Sequence, residues 1–207
     1  MLRGRELLER RWWAAWAFSW LVLVAASAVT IPFMYPYDLA EDFIDSGVVV
    51  GLCLPILVAA RILREGPVEQ VLTAARPLWG WRLGAGFVFT TATVAVAAVA
   101  GLAIPVNHVQ LVLDSFVLVG AGLTSAGVLG ARGTWVGPVT LVTVSSAPGL
   151  LPLQYNLLYR VTAHQELALC GVALLLLGGV GYARWGSIGV VGRGHTTADA
   201  RPDFVDA

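Results

Sequence analysis

The chain has 207 residues, 57% of them hydrophobic and 13% charged, with thirteen basic side chains matched by thirteen acidic ones. Soluble domains carry about 25% charged residues, so this composition, with a mean hydropathy of +0.77 and several apolar runs near 20 residues, excludes an ordinary soluble domain and implies a polytopic membrane protein. Zero formal net charge gives no electrostatic case for a nucleic-acid partner. All thirteen basic residues are arginine, which removes the P-loop lysine that grips ATP phosphates, so any ATP used must be bound by another chain.

The first eleven residues set Leu2, Leu7 and Leu8 against Arg3, Arg5, Glu6, Glu9, Arg10 and Arg11. This is either an interfacial amphipathic helix or an ordinary basic flank. Trp12, Trp13 and Trp16 follow as an aromatic belt at the head of a first span, about residues 13–33. That run is long, aromatic and without a small-residue cleavage site, so it is expected to be retained and not removed as a signal peptide. Tyr35, Pro36 and Tyr37 close it, and the loop after them carries Asp38, Glu41, Asp42 and Asp45 with no basic residue. A solvated acidic loop accounts for these residues, although it would also attract cationic substrates.

A second span, about residues 46–63, contains Pro55 and is expected to kink. The polar segment after it runs Arg64-Glu65-Gly66-Pro67-Val68-Glu69-Gln70-Val71-Leu72, through Ala75-Arg76-Pro77, to Trp81-Arg82. Pro67 suits the first position of a short helix, where its missing N–H costs nothing. Glu69 falls in the first turn, favourable for the helix dipole, and Pro77 ends the helix by forcing its predecessor out of the α region.

That segment resembles the coupling helix of type-2 ABC exporter permeases, in which an acidic residue, Gly, Thr or Ser, Leu, Glu and two apolar positions precede a Pro near a basic residue. The chain departs by placing Pro67 at the Thr or Ser position and by adding Ala74 and Ala75 before Pro77. The resemblance implies an all-α integral membrane fold of six spans, with an N-terminal elbow helix along the inner leaflet and a cytoplasmic coupling helix between spans two and three. It also implies a broken, re-entrant segment between spans five and six. Residues 1–186 would form a single permease domain, with residues 187–207 a cytoplasmic tail expected to be mobile for want of apolar periodicity. Glu65, Glu69 and Arg76 would make polar contacts to a separate ATPase, Pro67 would open the docking helix, and Val68, Val71 and Leu72 would enter its apolar groove.

Span three, about residues 83–104, is rich in small residues that let helices approach closely in lipid. A turn at Pro105-Val106-Asn107-His108 leads into span four, about residues 109–129, where Gly120, Gly122, Ser125 and Gly127 again favour close packing. After Arg132-Gly133, the fifth apolar region is interrupted by Pro138, Pro148-Gly149 and Pro152 and runs into Gln154-Tyr155-Asn156. Broken helices at membrane depth are tolerated only in protein or along a cavity, so this region is either re-entrant or an ordinary kinked span with a surface loop. Span six covers about residues 167–182.

With six spans, Arg3, Arg5, Arg10, Arg11, Arg61, Arg64, Arg76, Arg82, Arg132, Arg184, Arg193 and Arg201 share one side and Arg160 lies opposite. The positive-inside rule makes the shared side cytoplasmic, with both termini. The expected location is a bacterial cytoplasmic membrane.

Asp114 is the acidic residue deep in an apolar run, about 9 Å along the helix from the outer end of span four. Such a carboxylate suggests a substrate path or a partner, the alternative being a bond to Ser115 or to another helix. Pro148 and Tyr155 join it as candidates for the path. His108 and His164 lie in different loops without ligand spacing, Glu166 suits a helix N-terminus, and Cys53 and Cys170 read as small apolar side chains. Gly122-Leu123-Thr124-Ser125-Ala126-Gly127 has the outline of a nucleophile loop but no histidine nearby to serve as base.

The chain is therefore expected to be a transport subunit and no enzyme. It would export a lipid, hydrophobic drug or small peptide, working with a second permease subunit (a copy or a sister chain) and two ATPase copies that bind ATP and Mg. No cofactor is expected on this chain. The other readings are the permease subunit of a cytochrome c maturation exporter, which Val68–Leu72 also resembles, and a non-transporting membrane scaffold.

Overall fold

A computed structural model of the protein describes residues 2–27, 46–63, 78–104, 107–147, 150–151, 155–160 and 163–186, apart from the side chains of residues 2–10 and 46. The described chain is all-helical: α1 (Leu2–Ser27), α2 (Ser46–Ala59), α3 (Trp79–Ala100), α4 (His108–Leu129), α5 (Val136–Ser146) and α6 (His164–Trp185). Short 3-10 turns at Ala60–Leu63 and Ala131–Gly133 extend α2 and precede α5. Among the described residues, three helices, α3, α4 and α6, are long and apolar enough to cross a membrane.

α4 is the central helix. Two-thirds of its most apolar window is buried inside the protein, against one-third for α3 and α6. Asn107 starts it, its side chain accepting from the backbone N–H groups of Val109 at 3.0 Å and Gln110 at 3.4 Å. Gly130 ends it at φ 85°, a left-handed turn that a side chain would resist. The α4–α6 pair forms the most extensive helix contact, and glycines make it possible. A Cβ on Gly120 would come within 2.7 Å of the Leu174 Cβ, and one on Gly178 within 2.5 Å of the Thr124 N. Gly127 faces the Gly181 backbone and Gly171 the Phe116 Cβ in the same manner. Lipid is as apolar as the helices, so tight backbone approach and an interhelical bond, here Thr124 Oγ1 to Leu174 O at 3.3 Å, replace hydrophobic burial as the source of association.

The outward faces of α3 and α6 carry Phe87, Val88 and Val99, and Leu169, Leu176 and Leu177, all exposed. Largely apolar exposed faces of this kind suit lipid contact. Trp13, Trp79, Trp81 and Trp135 are also exposed, all near one end of the bundle.

That end is the basic one. Trp12 Nε1 donates to Val58 O at 2.8 Å, and the Tyr182 hydroxyl donates to Leu63 O at 2.5 Å. Buried Arg82 directs Nη1 at Ala183 O and Arg184 O, at 3.4 and 3.5 Å. A guanidinium is well placed there, because the last carbonyls of a helix lack intrahelical partners and carry partial negative charge. Gly186, at φ 66°, sits against the same guanidinium, where a Cβ would overlap it.

Several expectations meet a different local structure. α1 runs unbroken from Leu2 to Ser27, so the expected elbow and the first span form one continuous helix over the described backbone. Pro55 lies inside α2, which tightens into the 3-10 turn at Ala60. α5 has 11 residues, about 16 Å at 1.5 Å per residue and roughly half of a 30 Å hydrocarbon core. Pro138 does not break it, because it stands in the first turn, where no N–H is required. The chain leaves helical geometry at Ala147. The loop at 38–45, the turn residues Pro105 and Val106, the segment Arg64–Pro77, Pro148, Gly149, Pro152 and the tail 187–207 lie outside the described residues.

Candidate functional site

At the end that holds Arg160, opposite the other described arginines, polar side chains are buried together. Gln110 and Asp114 lie one turn apart on α4, the spacing at which a Gln amide meets a carboxylate. Gln110 Nε2 donates to Asp114 Oδ1 at 3.2 Å and to Leu158 O at 3.4 Å. The residues after α5 fold back over this end. Asn156 Nδ2 donates to Ser145 O at 2.6 Å, capping a terminal carbonyl of α5, and the Tyr159 and Ser146 hydroxyls are bonded at 2.6 Å. Gln110, Asp114 and Asn156 are all fully buried.

Within this cluster the unused capacity is all on acceptor atoms. Gln110 Oε1, Asp114 Oδ2 and Asn156 Oδ1 are buried without a hydrogen-bond partner among the described residues. Such groups are rare and costly in a folded interior. A set of oriented acceptors can receive a donor-rich group: a water, an ammonium or amide of a substrate, or a small cation. No group of three or more His, Cys, Asp or Glu residues able to hold a metal ion occurs among the described residues.

Ser115 is not the partner of Asp114. Its hydroxyl donates along its own helix to Leu111 O at 2.8 Å, so the alternative in which Asp114 is satisfied by its neighbour does not hold. Tyr155 is two-thirds exposed and stands outside the cluster that its neighbour Asn156 enters. Asp114 and Tyr155, both candidates for a path, are therefore not brought together, and Pro148 lies outside the described residues. The ATPase-contact candidates Glu65, Pro67, Val68, Glu69, Val71, Leu72 and Arg76 lie outside them as well.

His164 Nε2 is buried without a hydrogen-bond partner among the described residues, whereas the other candidates have structural surroundings. His108 packs near Gly101, where an added Cβ would stand 3.1 Å from its Nδ1. Glu166 occupies the first turn of α6. Ser125 Oγ donates to Ala121 O at 2.8 Å, next to the backbone of Gly137, and is committed to the α4–α5 crossing. Cys53 and Cys170 are free thiols.

Sequence reasoning found Asp114 but overlooked Gln110 and Asn156. The four-residue spacing from Gln110 to Asp114 was a usable signal. Asn156 had none, since its role depends on how the loop returns. Compared with known proteins, the chain matches no family model, no curated protein and no solved structure.

Proposed function

We propose that this chain is the membrane subunit of an ATP-driven exporter of the type-2 ABC kind, with both termini cytoplasmic and six membrane crossings. It would carry a hydrophobic or amphipathic substrate outward, powered by two copies of a separate ATPase and paired with a second permease chain. One observation carries the reading. The segment that resembles a coupling helix, residues 64–77, is flanked on both sides by residues tied into the basic end of the bundle. Leu63 accepts from Tyr182 of α6, and Arg82 holds the last carbonyls of the same helix. A displacement of the segment would therefore reach α2, α3 and α6 together, and α6 is packed along the central helix. A rigid linkage of this kind is what biasing a bundle between inward-open and outward-open arrangements requires. At the far end, the acceptor cluster around Asp114 supplies a polar contact for a substrate group with hydrogens to donate.

The test is co-expression with an ATPase encoded beside this chain. The expected result is a stable complex whose ATP turnover is coupled to the membrane subunit, and whose coupling is lost in Glu69→Arg with the complex's membrane chain still folded. Failure of any ATPase to copurify, or indifference to Glu69→Arg, removes the exporter reading.

A further inference from the structure

We infer that the recess between α1, the end of α2 and the start of α5 is a binding site for the phosphodiester headgroup of an anionic membrane lipid. The cavity has a volume of about 270 Å³ and is lined in part by Trp12, Arg61, Arg132, Thr134 and Trp135. The 3-10 turns that carry Arg61 and Arg132 touch one another. Both arginines are exposed and neither has a hydrogen-bond or ion-pair partner among the described residues, so two guanidinium forks are available at one opening. Among the described residues, no acidic side chain lines the cavity.

A second feature of the same wall favours an anion. α5 starts at Val136, and no side chain caps its N-terminus. The Thr134 hydroxyl, the nearest candidate, is committed to Ala131 O at 2.8 Å. The first backbone N–H groups of a helix have no intrahelical partner and form the positive end of its dipole. Thr134 and Trp135, which line the cavity, lead directly into that end. Arginine suits the ligand because its planar fork matches phosphate oxygens in pairs.

The choice of a lipid over a soluble phosphate rests on the walls and the position. Trp12 is fixed by its bond to Val58 O, and Trp135 is half exposed, with Trp13, Trp79 and Trp81 near the same end. Indole rings gather where a bilayer's headgroups meet its acyl chains, and basic recesses between membrane helices select anionic headgroups at that depth. The recess would hold the headgroup while the acyl chains run along the apolar faces beside it. None of this depends on the exporter reading.

The experiment uses the full chain, purified in a neutral detergent and stripped of lipid, with thermal unfolding followed during titration of phosphatidylglycerol, phosphatidylcholine or sodium phosphate. Native mass spectrometry counts the lipids retained. Phosphatidylglycerol is expected to raise the melting temperature saturably, with one molecule retained per chain, while the other two do not. Replacing both arginines (Arg61→Gln with Arg132→Gln) removes two charge-assisted hydrogen-bonding groups and is expected to weaken that binding at least about tenfold. Arg184→Gln removes a charge near the same end, outside the cavity, and is expected to bind as the parent does. Should the double variant fail to fold, Arg61→Lys with Arg132→Lys keeps the charge, loses the fork and is expected to bind more weakly than the parent. Equal binding of phosphatidylcholine, saturation by phosphate alone, equal weakening in Arg184→Gln, or unchanged binding in the double glutamine variant or in its lysine substitute would overturn the assignment.

Discussion

Asp114 is carried at a cost. Its side chain is fully buried, one carboxylate oxygen accepts from Gln110, and the other has no partner among the described residues. An unsatisfied buried polar group costs about 1–3 kcal/mol, and more when charged. Asp114→Asn keeps the shape and the Gln110 contact while removing the carboxylate. It is therefore expected to leave thermal stability in detergent unchanged or to raise it by about 1 kcal/mol. A clear drop in melting temperature would mean that the carboxylate is a structural partner. A gain is the pattern of a residue retained for function against stability. The sequence exposed Asp114 because a carboxylate inside an apolar run is conspicuous. It left Asn156 unremarked, because an asparagine in a polar loop is ordinary until the loop is seen to turn inward.

Adjacent glycines in α6 have opposite roles. Gly178 faces α4, where a Cβ would stand 2.5 Å from the Thr124 N and 2.8 Å from the Leu123 Cβ, whereas Gly179 meets nothing within 4 Å. Gly178→Ala is expected to force α4 and α6 apart and cost about 1–3 kcal/mol, as overpacking does. Gly179→Ala relieves the entropy penalty of a helical glycine and is expected to gain about 0.5–1 kcal/mol. Thermal melts of the two variants side by side decide the matter, and equal effects would show that the α4–α6 contact is misassigned. Glycine enrichment was visible in the sequence, but which glycines face a neighbouring helix was not. Composition reports that close approach is allowed, and geometry selects where it occurs.

Across the described residues, the arginines other than Arg160 gather toward one end. Residues 58–63, 78–82, 131–135 and 182–186 meet there through Trp12, Tyr182, Arg82 and the recess between the 3-10 turns. Residues 155–160 close the other end over Gln110. In the proposed topology, the positive-inside rule would place the arginine end in the cytoplasm. In a background with Cys53→Ala and Cys170→Ala, an impermeant maleimide is expected to label Tyr155→Cys on intact cells. Arg132→Cys should be labelled only after permeabilisation. The reverse pattern would invert the orientation, and labelling of both from outside would contradict their placement at opposite ends of a spanning bundle.

The membrane character, the sorting of arginines and the conspicuous carboxylate were all legible in the chain before any fold was known. Each follows from the transfer of single side chains between water and lipid, a property that needs no neighbour to define it. The short α5, the unbroken α1, the Arg82 bond to the end of α6, the Gly120–Leu174 and Gly178–Thr124 contacts and the return of Asn156 into the bundle required the three-dimensional arrangement. In lipid, apolar faces gain little from one apolar partner over another, so helix pairing is settled by close fit and a few hydrogen bonds between residues far apart in sequence. Local pattern carries no record of those distant partners.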